Sequence, residues 1–305
     1  MTDHGDTGEG PYTGNYLDYL LTNRNFTAPA VAGAVSVLTA PVIARSVSTG
    51  QPVRILDAGT GAGGALPELS CLAAEVPEGG TVLAVDVDGS AVALARQQIA
   101  ALHDTGASAG VRVDLRVADL RGVAAEAALT GQFFDLIWSS DVIWPEAFDD
   151  PEGVVSELSR ALAPGGILAL FTTNYYQSTL LPGHTRLERL IRTASEMTWG
   201  LPDDGPYQYE RLGAWMRQAG LHDVTPTSFP LTGMASEPTA RAFLEQIVWP
   251  EMRHAVSANG RAAGMSDDDV VRAEHLLDPA GQEWIGNDPD AFVLQPTLLW
   301  TGRAG

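Results

Sequence analysis

Five short apolar runs recur along the chain, at Val53–Asp57, Thr81–Asp86, Arg112–Val117, Phe134–Trp138 and Gly166–Thr172. Each reads as a short, nearly continuous apolar stretch, the pattern of a strand buried on both faces of a parallel sheet. The segments between them carry helical spacing. Ala65–Glu75 follows a glycine cluster, Ser90–Leu102 opens with Ser90 as its expected N-cap, and Pro151–Leu162 runs into the stop and turn of Pro164, Gly165 and Gly166. Strands alternating with helices predict a doubly wound α/β sheet.

The C-terminal third breaks this rhythm. Tyr209–Ala219 reads as a helix with Gly220 at its C-terminal cap, followed by an extended run from His222 to Leu231. A matching strand appears only at Phe292–Thr301, which brings the expected sheet to seven strands. Helical stretches at Thr185–Trp199, Pro238–Val256 and Ser266–Leu277 are too long to be simple connections and are expected to cap the sheet's carboxyl edge. Ahead of the first strand, the first ten residues read as disordered and Tyr16–Val47 as helical. Ala28–Val47 is apolar enough to suggest a membrane helix, but Pro29, Pro41, Arg45 and many small residues favour one or two helices packed on the core. The expected division is a tail and lid helices over 1–48, a ligand-binding core over 49–173, and sheet completion with cap helices over 174–305.

Charge and composition narrow the chemistry. A formal charge of −20 and the lack of any basic run disfavour nucleic acid as a partner. All 18 basic residues are arginine, so P-loop, Schiff-base and kinase-type lysine chemistry is excluded. Cys71 is the only cysteine and reads as a small buried hydrophobe. The six histidines are scattered, so no metal site is expected. The acidic, glycine-rich N-terminus resembles no signal peptide, and the chain is expected in the cytoplasm, without a membrane partner.

The most informative segment is Val53 to Gly64, VRILDAGTGAGG, an apolar strand ending in an acid and running into a glycine-rich turn. Such a turn lets backbone approach a nucleotide-like ligand. Gly59, Gly61 and Gly64 satisfy the dinucleotide spacing G-x-G-x-x-G, while Asp57, Gly59, Gly61 and Gly63 satisfy D-x-G-x-G-x-G. A carboxylate at Asp57 has no use beside a pyrophosphate, which a helix N-terminus holds, but it suits a cationic sulfonium or amine. Asp86, closing the second strand, is placed to accept ribose hydroxyls in either case. With Asp119 after the third strand, the motif FFDLIWSSDVIW at Phe133–Trp144 and the turn ALAPGGILAL at Ala161–Leu170, the chain resembles the class I S-adenosylmethionine-dependent methyltransferases that act on quinones and natural products. The resemblance implies a Rossmann-like methyltransferase fold and S-adenosyl-L-methionine as cofactor. It implies cofactor contacts from Asp57, Gly59, Thr60, Gly61, Gly63, Asp86, Val87, Asp119, Leu120 and Ser139.

Methyl transfer needs alignment and exclusion of water more than a fixed catalytic motif. Candidate general bases are Asp141, after the fourth strand, and His184, beyond the fifth. Trp144, Tyr175 and Tyr176 are candidates to line the substrate pocket, with Tyr12, Tyr16 and Arg24 as lid candidates by position. The expected acceptor is a partly apolar small molecule, such as a secondary metabolite, methylated on oxygen, nitrogen or carbon. Alternatives are a non-methylating S-adenosylmethionine enzyme of the same fold, a nicotinamide-dependent oxidoreductase, or an inert binding protein. The oligomeric state is left open.

Overall fold

The strands form where the apolar runs place them, in a computed structural model that describes residues 15–104, 111–145, 147–201 and 209–305. In chain order they are β1 Val53–Ala58, β2 Gly80–Asp86, β3 Arg112–Val117, β4 Phe134–Ser140, β5 Leu162–Thr173, β6 His222–Ser228, β7 Leu231–Met234, β8 Phe292–Gln295 and β9 Thr297–Arg303. Seven of them make one sheet in the order β3-β2-β1-β4-β5-β9-β6. β1 pairs in parallel with β2 and β4, the pairs β2–β3 and β4–β5 are parallel, and β9 runs antiparallel to both neighbours. The expected doubly wound, mostly parallel seven-stranded sheet is therefore present. The central strands are buried on both faces, whereas edge strand β3 (RVDLRV) has no fully buried residue. Its alternating sequence matches a strand with one neighbour rather than two.

Helices α1 Tyr16–Thr49, α2 Leu66–Glu75, α3 Gly89–Asp104, α4 Leu120–Thr130, α5 Pro151–Arg160, α6 Thr185–Thr198, α7 Leu212–Gln218, α8 Pro238–Phe243, α9 Trp249–Asn259 and α10 Asp267–Leu277 complete the order. Several ends differ from expectation for local reasons. Ser90 lies inside α3, and Asp88 caps it by accepting the Ser90 N–H at 2.7 Å. The run Phe292–Thr301 is two strands, because Pro296 offers no N–H to continue the ladder; the run His222–Leu231 divides at Pro230 for the same reason. β7 and β8 consequently pair with each other in a separate two-stranded sheet. The stretch Pro238–Val256 is interrupted by a π-helical turn at Leu244–Val248. The acidic run Asp267–Asp269 does occupy the first turn of α10, where Ser266 and Asp269 form a capping box. Cys71 is partly exposed rather than buried, and burial and its acidic neighbours raise its thiol pKa.

The chain divides into two compact units. The sheet unit comprises Thr27–Asn174, Asp204–Pro230 and Pro296–Gly305; the helical unit comprises Met1–Phe26, Tyr175–Asp203 and Leu231–Gln295. Within the helical unit α6, α9 and α10 pack together. The Trp249 indole N–H donates to the Leu180 carbonyl at 3.3 Å, Asn259 donates to Thr198 at 2.9 Å, and Phe26 stacks on Phe243 with centroids 4.1 Å apart. α1 is a single helix that continues through Pro29 and Pro41. Each proline removes one helical hydrogen bond, and burial of Ala30, Val31, Ala34, Val35, Leu38 and Val42 along one stripe offsets that loss. By length and apolarity α1 meets the requirement for crossing a membrane, and 44% of its most apolar window is buried within the protein.

Near its C-terminus α1 is tied to the sheet unit by charge. Arg45 Nε donates to Asp135 at 2.7 Å and its guanidinium also reaches the Pro164 carbonyl, while the Arg54 backbone N–H donates to the second oxygen of Asp135 at 2.8 Å. Both side chains of the pair are largely buried. Asp135→Ala leaves the Arg45 charge without its carboxylate and is expected to lower unfolding stability by about 2–4 kcal/mol. Urea denaturation measures this, and a loss below about 0.5 kcal/mol would show that the pair adds nothing beyond a surface contact.

Candidate active site

The candidate site begins at Asp57, the next-to-last residue of β1. β1 lies between β2 and β4, with Asp57 in register with Ala84 and Trp138, so its carboxyl is deprived of water. Thr60 donates its hydroxyl to it at 2.6 Å. Desolvation raises the Asp57 pKa to about 7, the Thr60 bond opposes that rise, and the charge of nearby Asp86 adds to it. No cationic side chain pairs with Asp57 among the described residues. A buried acid of this kind, next to a second acid, is a place for a positive group to bind.

The turn after β1 is shaped by glycine. Gly59, Gly61 and Gly63 have φ values of 81°, 51° and 80°, in the left-handed region that side chains strain to adopt. A Cβ on Gly59 would lie 2.3 Å from a methyl of Val142, so the loop after β4 packs directly on the turn. The N–H groups of Gly59 and Thr60 both donate to the Val85 carbonyl, which stitches the turn to β2. The Gly61 N–H donates to one oxygen of Asp86 at 2.8 Å, and the Asp88 N–H to the other at 3.0 Å. A carboxylate accepts about four hydrogen bonds, so Asp86 keeps capacity for two hydroxyls on a ligand. Val87 beside it is exposed, with 72% of its surface open.

The remaining candidates have definite structural tasks. Asp119 is the N-cap of α4, accepting the Arg121 N–H at 3.0 Å, and Leu120 is buried in the core below it. Ser139 is buried and donates its hydroxyl to the Ala58 carbonyl at 2.8 Å, joining β4 to β1. Asp141 has φ 54°, and both its oxygens accept from Thr173, one from the N–H at 2.6 Å and one from the hydroxyl at 2.8 Å. Part of Asp141 is open to solvent, but protein crowding around its carboxylate raises its pKa to about 6 against the lowering effect of those bonds. Thr173, which sequence reasoning passed over, is thus the residue that orients Asp141. No sequence signal identified it, because the pairing joins the ends of two parallel strands. Trp144 follows in the same loop, half-buried.

The other candidates fall in the helical unit. Tyr175 opens a short 3₁₀ turn, donates to Asn23 at 3.1 Å and stacks on Phe243; Tyr176 follows it, half-buried. His184 is the N-cap residue of α6, with its ring 3.3 Å from the Arg272 guanidinium. Tyr16 is exposed at the start of α1, stacked on Tyr19, and Arg24 has its pKa lowered by burial. Tyr12 lies outside the described residues. Among the described residues no cluster of metal-ligating side chains occurs.

Fold and turn together place the buried Asp57 and the open lone pairs of Asp86 at the carboxyl edge of a parallel sheet, the edge at which such sheets bind ligands. A methyltransferase-domain family profile matches residues 56–170. The ubiquinone biosynthesis O-methyltransferase of Xylella fastidiosa (strain M23) is 30% identical over 213 residues, covering 66% of this chain and 76% of that protein. A protein of the same name from Xanthomonas axonopodis pv. citri is 30% identical over 168 residues, covering 55% and 62%. Among solved structures, the plantazolicin methyltransferase BpumL aligns over 95% of this chain and 90% of its own with 13% identity and a TM-score of 0.46. A methyltransferase from Bacillus halodurans C-125 aligns over 86% and 97% with 13% identity and a TM-score of 0.43. The chain belongs to the class I S-adenosylmethionine-dependent methyltransferases. It is a methyl-transferring enzyme with S-adenosyl-L-methionine as cofactor and a small molecule as acceptor.

The raised acids make stability depend on pH. Burial lifts Asp57 to about 7 and Asp141 to about 6; it also lifts Glu251, one of whose oxygens has no partner, to about 7. In the unfolded chain these groups titrate at about 4, so between about pH 4 and 7 the folded state holds more protons and stability falls as pH rises. Glu157 and Asp269, held low by Arg121 and Arg186, act in the opposite sense and only below about pH 4. The ligand-free protein is therefore expected to melt at a higher temperature at about pH 5 than at about pH 8, and Asp57→Asn should narrow the difference. A melting temperature that climbs from the lower to the higher pH would contradict the assignment.

Proposed function

We propose that the enzyme transfers the methyl group to a hydroxyl oxygen of a small, partly apolar molecule, in the cytoplasm. The observation that carries the cofactor half of this reading is the buried, unpaired Asp57 beside Asp86 at the sheet's carboxyl edge. Oxygen as the acceptor atom is supported by relatives that are 30% identical over the aligned 213 and 168 residues and are named O-methyltransferases. Those names print ubiquinone biosynthesis; an acceptor of secondary metabolism belongs to the proposal on the strength of the sequence resemblance alone.

Bound S-adenosylmethionine supplies an electrophilic methyl group on a positively charged sulfur. In the proposed arrangement Asp57, oriented by Thr60, offsets positive charge on the cofactor, and the left-handed glycines at 59, 61 and 63 keep the approach clear of Cβ atoms. Asp86 accepts the ribose hydroxyls with the lone pairs that Gly61 and Asp88 leave open, and exposed Val87 lies along the same edge. Asp119 offers its second oxygen to the adenine, since the first caps α4, and Leu120 and Ser139 hold the backbone on either side. Asp141 acts as a positioning residue. Two bonds from Thr173 hold its carboxylate against the end of β5, and in this proposal it fixes the β4–β5 edge rather than taking the acceptor's proton. Trp144 stands three residues beyond it, as an aromatic contact for the acceptor.

Calorimetry with S-adenosylhomocysteine tests the cofactor assignment. Wild type is expected to bind in the micromolar range and Asp86→Ala about 10- to 150-fold more weakly, the effect of losing two hydrogen bonds. Unchanged affinity in a folded Asp86→Ala protein would assign the ribose to another residue.

Screening hydroxylated, aminated and carbon-nucleophile acceptors, with the methyl position read by NMR, tests the acceptor atom. Transfer to oxygen is expected, and transfer confined to nitrogen or carbon would overturn the reading. On the same acceptor, Asp141→Asn should keep kcat within about tenfold of wild type, whereas loss of a general base would cost about 10²–10⁴-fold.

A further inference from the structure

The helical unit contains a cavity of about 620 Å³ that none of the cofactor-site residues lines. One wall is aromatic. The buried Trp249 has its indole fixed by the hydrogen bond to Leu180, and Trp284 meets it edge to face, with centroids 5.7 Å apart and ring planes at 76°. The Arg241 guanidinium lies 4.7 Å over the Trp284 ring and pairs with Glu245, which locks the second tryptophan as well. Two fixed rings at a steep angle form a corner that a flat ring system fills by stacking on one and meeting the edge of the other.

The wall that α9 supplies is also polar and carries positive charge. Arg253, His254 and Ser257 lie on successive turns of α9 and all face the cavity. Arg253 reaches Asp278 only at 3.6 Å, between half-exposed side chains, a contact of small worth that leaves the guanidinium fork available. The side chains of His254 and Ser257 have no hydrogen-bond partner among the described residues. In a chain of charge −20, an arginine and a histidine with spare donors beside two tryptophans select an anion on a planar body.

The backbone gives an independent reason. The π turn Leu244–Val248 places Glu245 and Gln246 on the cavity rim, directly before Trp249 and Pro250. The Trp249 N–H donates to Leu244 and Pro250 has none to give, so the Glu245 carbonyl lacks a helical donor. A π turn forfeits backbone bonding that an α-helix would satisfy, and such turns concentrate at ligand sites. Here two of its residues, Glu245 and Gln246, line the cavity.

We propose that this cavity is a binding site for a planar aromatic carboxylate, stacked in the Trp249–Trp284 corner with its carboxylate on Arg253. The site is carried by the helical unit alone and does not rest on the proposed acceptor atom.

Calorimetry with 2-naphthoate as probe, in the presence of saturating S-adenosylhomocysteine, tests it on the full chain. Saturable binding in the sub-millimolar range is expected, with 2-naphthalenemethanol, which has the same ring and no charge, binding at least about tenfold more weakly. Ser257 is exposed, so Ser257→Trp fills the cavity from its rim at little cost to folding; it should abolish naphthoate binding and leave S-adenosylhomocysteine affinity unchanged. Arg253→Gln should weaken naphthoate about tenfold or more and bring it level with the neutral analogue. Absence of saturation up to about 5 mM overturns the proposal, as does unchanged affinity in Ser257→Trp, which would place the probe elsewhere. Equal binding of the acid and the alcohol, with Arg253→Gln indistinguishable from wild type, overturns the carboxylate assignment. Loss of S-adenosylhomocysteine binding alone, with naphthoate unaffected, bears on the cofactor reading and not on this one.

Discussion

A carboxylate that the sheet forces out of water governs this protein. Asp57 ends a strand flanked in parallel on both sides, and neither neighbour supplies a counter-charge. Closing the sheet around such a group costs folding free energy that a hydrophobic residue there would not cost. The surrounding geometry lowers that cost without removing it. Thr60 donates one hydrogen bond, whereas the charge of nearby Asp86 adds to the cost. The result is an acid poised near neutrality, whose charge is most stable when a cation lies against it.

The close packing of the turn follows from the same constraint. Val142 occupies the space a Cβ on Gly59 would need, and Ala95 and Leu66 crowd Gly63, so the turn is held from above and from behind. Asp141, one residue before Val142, is fixed by two bonds from Thr173. The edge of β5 therefore sets the position of the β4 loop, which in turn sets the glycine turn. Substitutions at Thr173 or Val142 would reach the proposed cofactor site through this chain of contacts. The Arg45–Asp135 pair does similar work at the opposite end of the strands, joining α1, β1 and β4 through one carboxylate.

Prolines decide where the sheet stops. Pro230 and Pro296 interrupt what would otherwise be a continuous antiparallel ladder, and beyond them β7 and β8 pair with each other, with Leu294 of β8 also bridging Thr179. The chain passes between its two compact units at these same positions, at Pro230–Leu231 and Gln295–Pro296. Within the helical unit, Pro250 has a comparable effect on the helix that becomes α8 and α9. It withholds an N–H, and a π turn stands in place of continuous α-helix.

The sequence alone determined where the five parallel strands lie along the chain, the glycine turn and the acids that border it. These are local properties: burial on two faces demands continuous apolar runs, and a left-handed turn demands glycine. Strand β3 was read to the residue, but its expected burial on both faces fails because it is the sheet's edge. What the sequence did not determine were the partnerships made across the fold. Ser90 reads as the cap of its helix, until the turn of the backbone gives the Ser90 N–H to Asp88. A single apolar run from Phe292 to Thr301 conceals two strands, because one missing N–H matters only once neighbours are in place to pair with it. Thr173 shows nothing in sequence, and Asp141 shows only a carboxyl after a strand. The tryptophan corner joins Trp249 and Trp284 across a helix and a loop. Such contacts depend on the distance between chain segments, which no local pattern encodes and only tertiary packing decides.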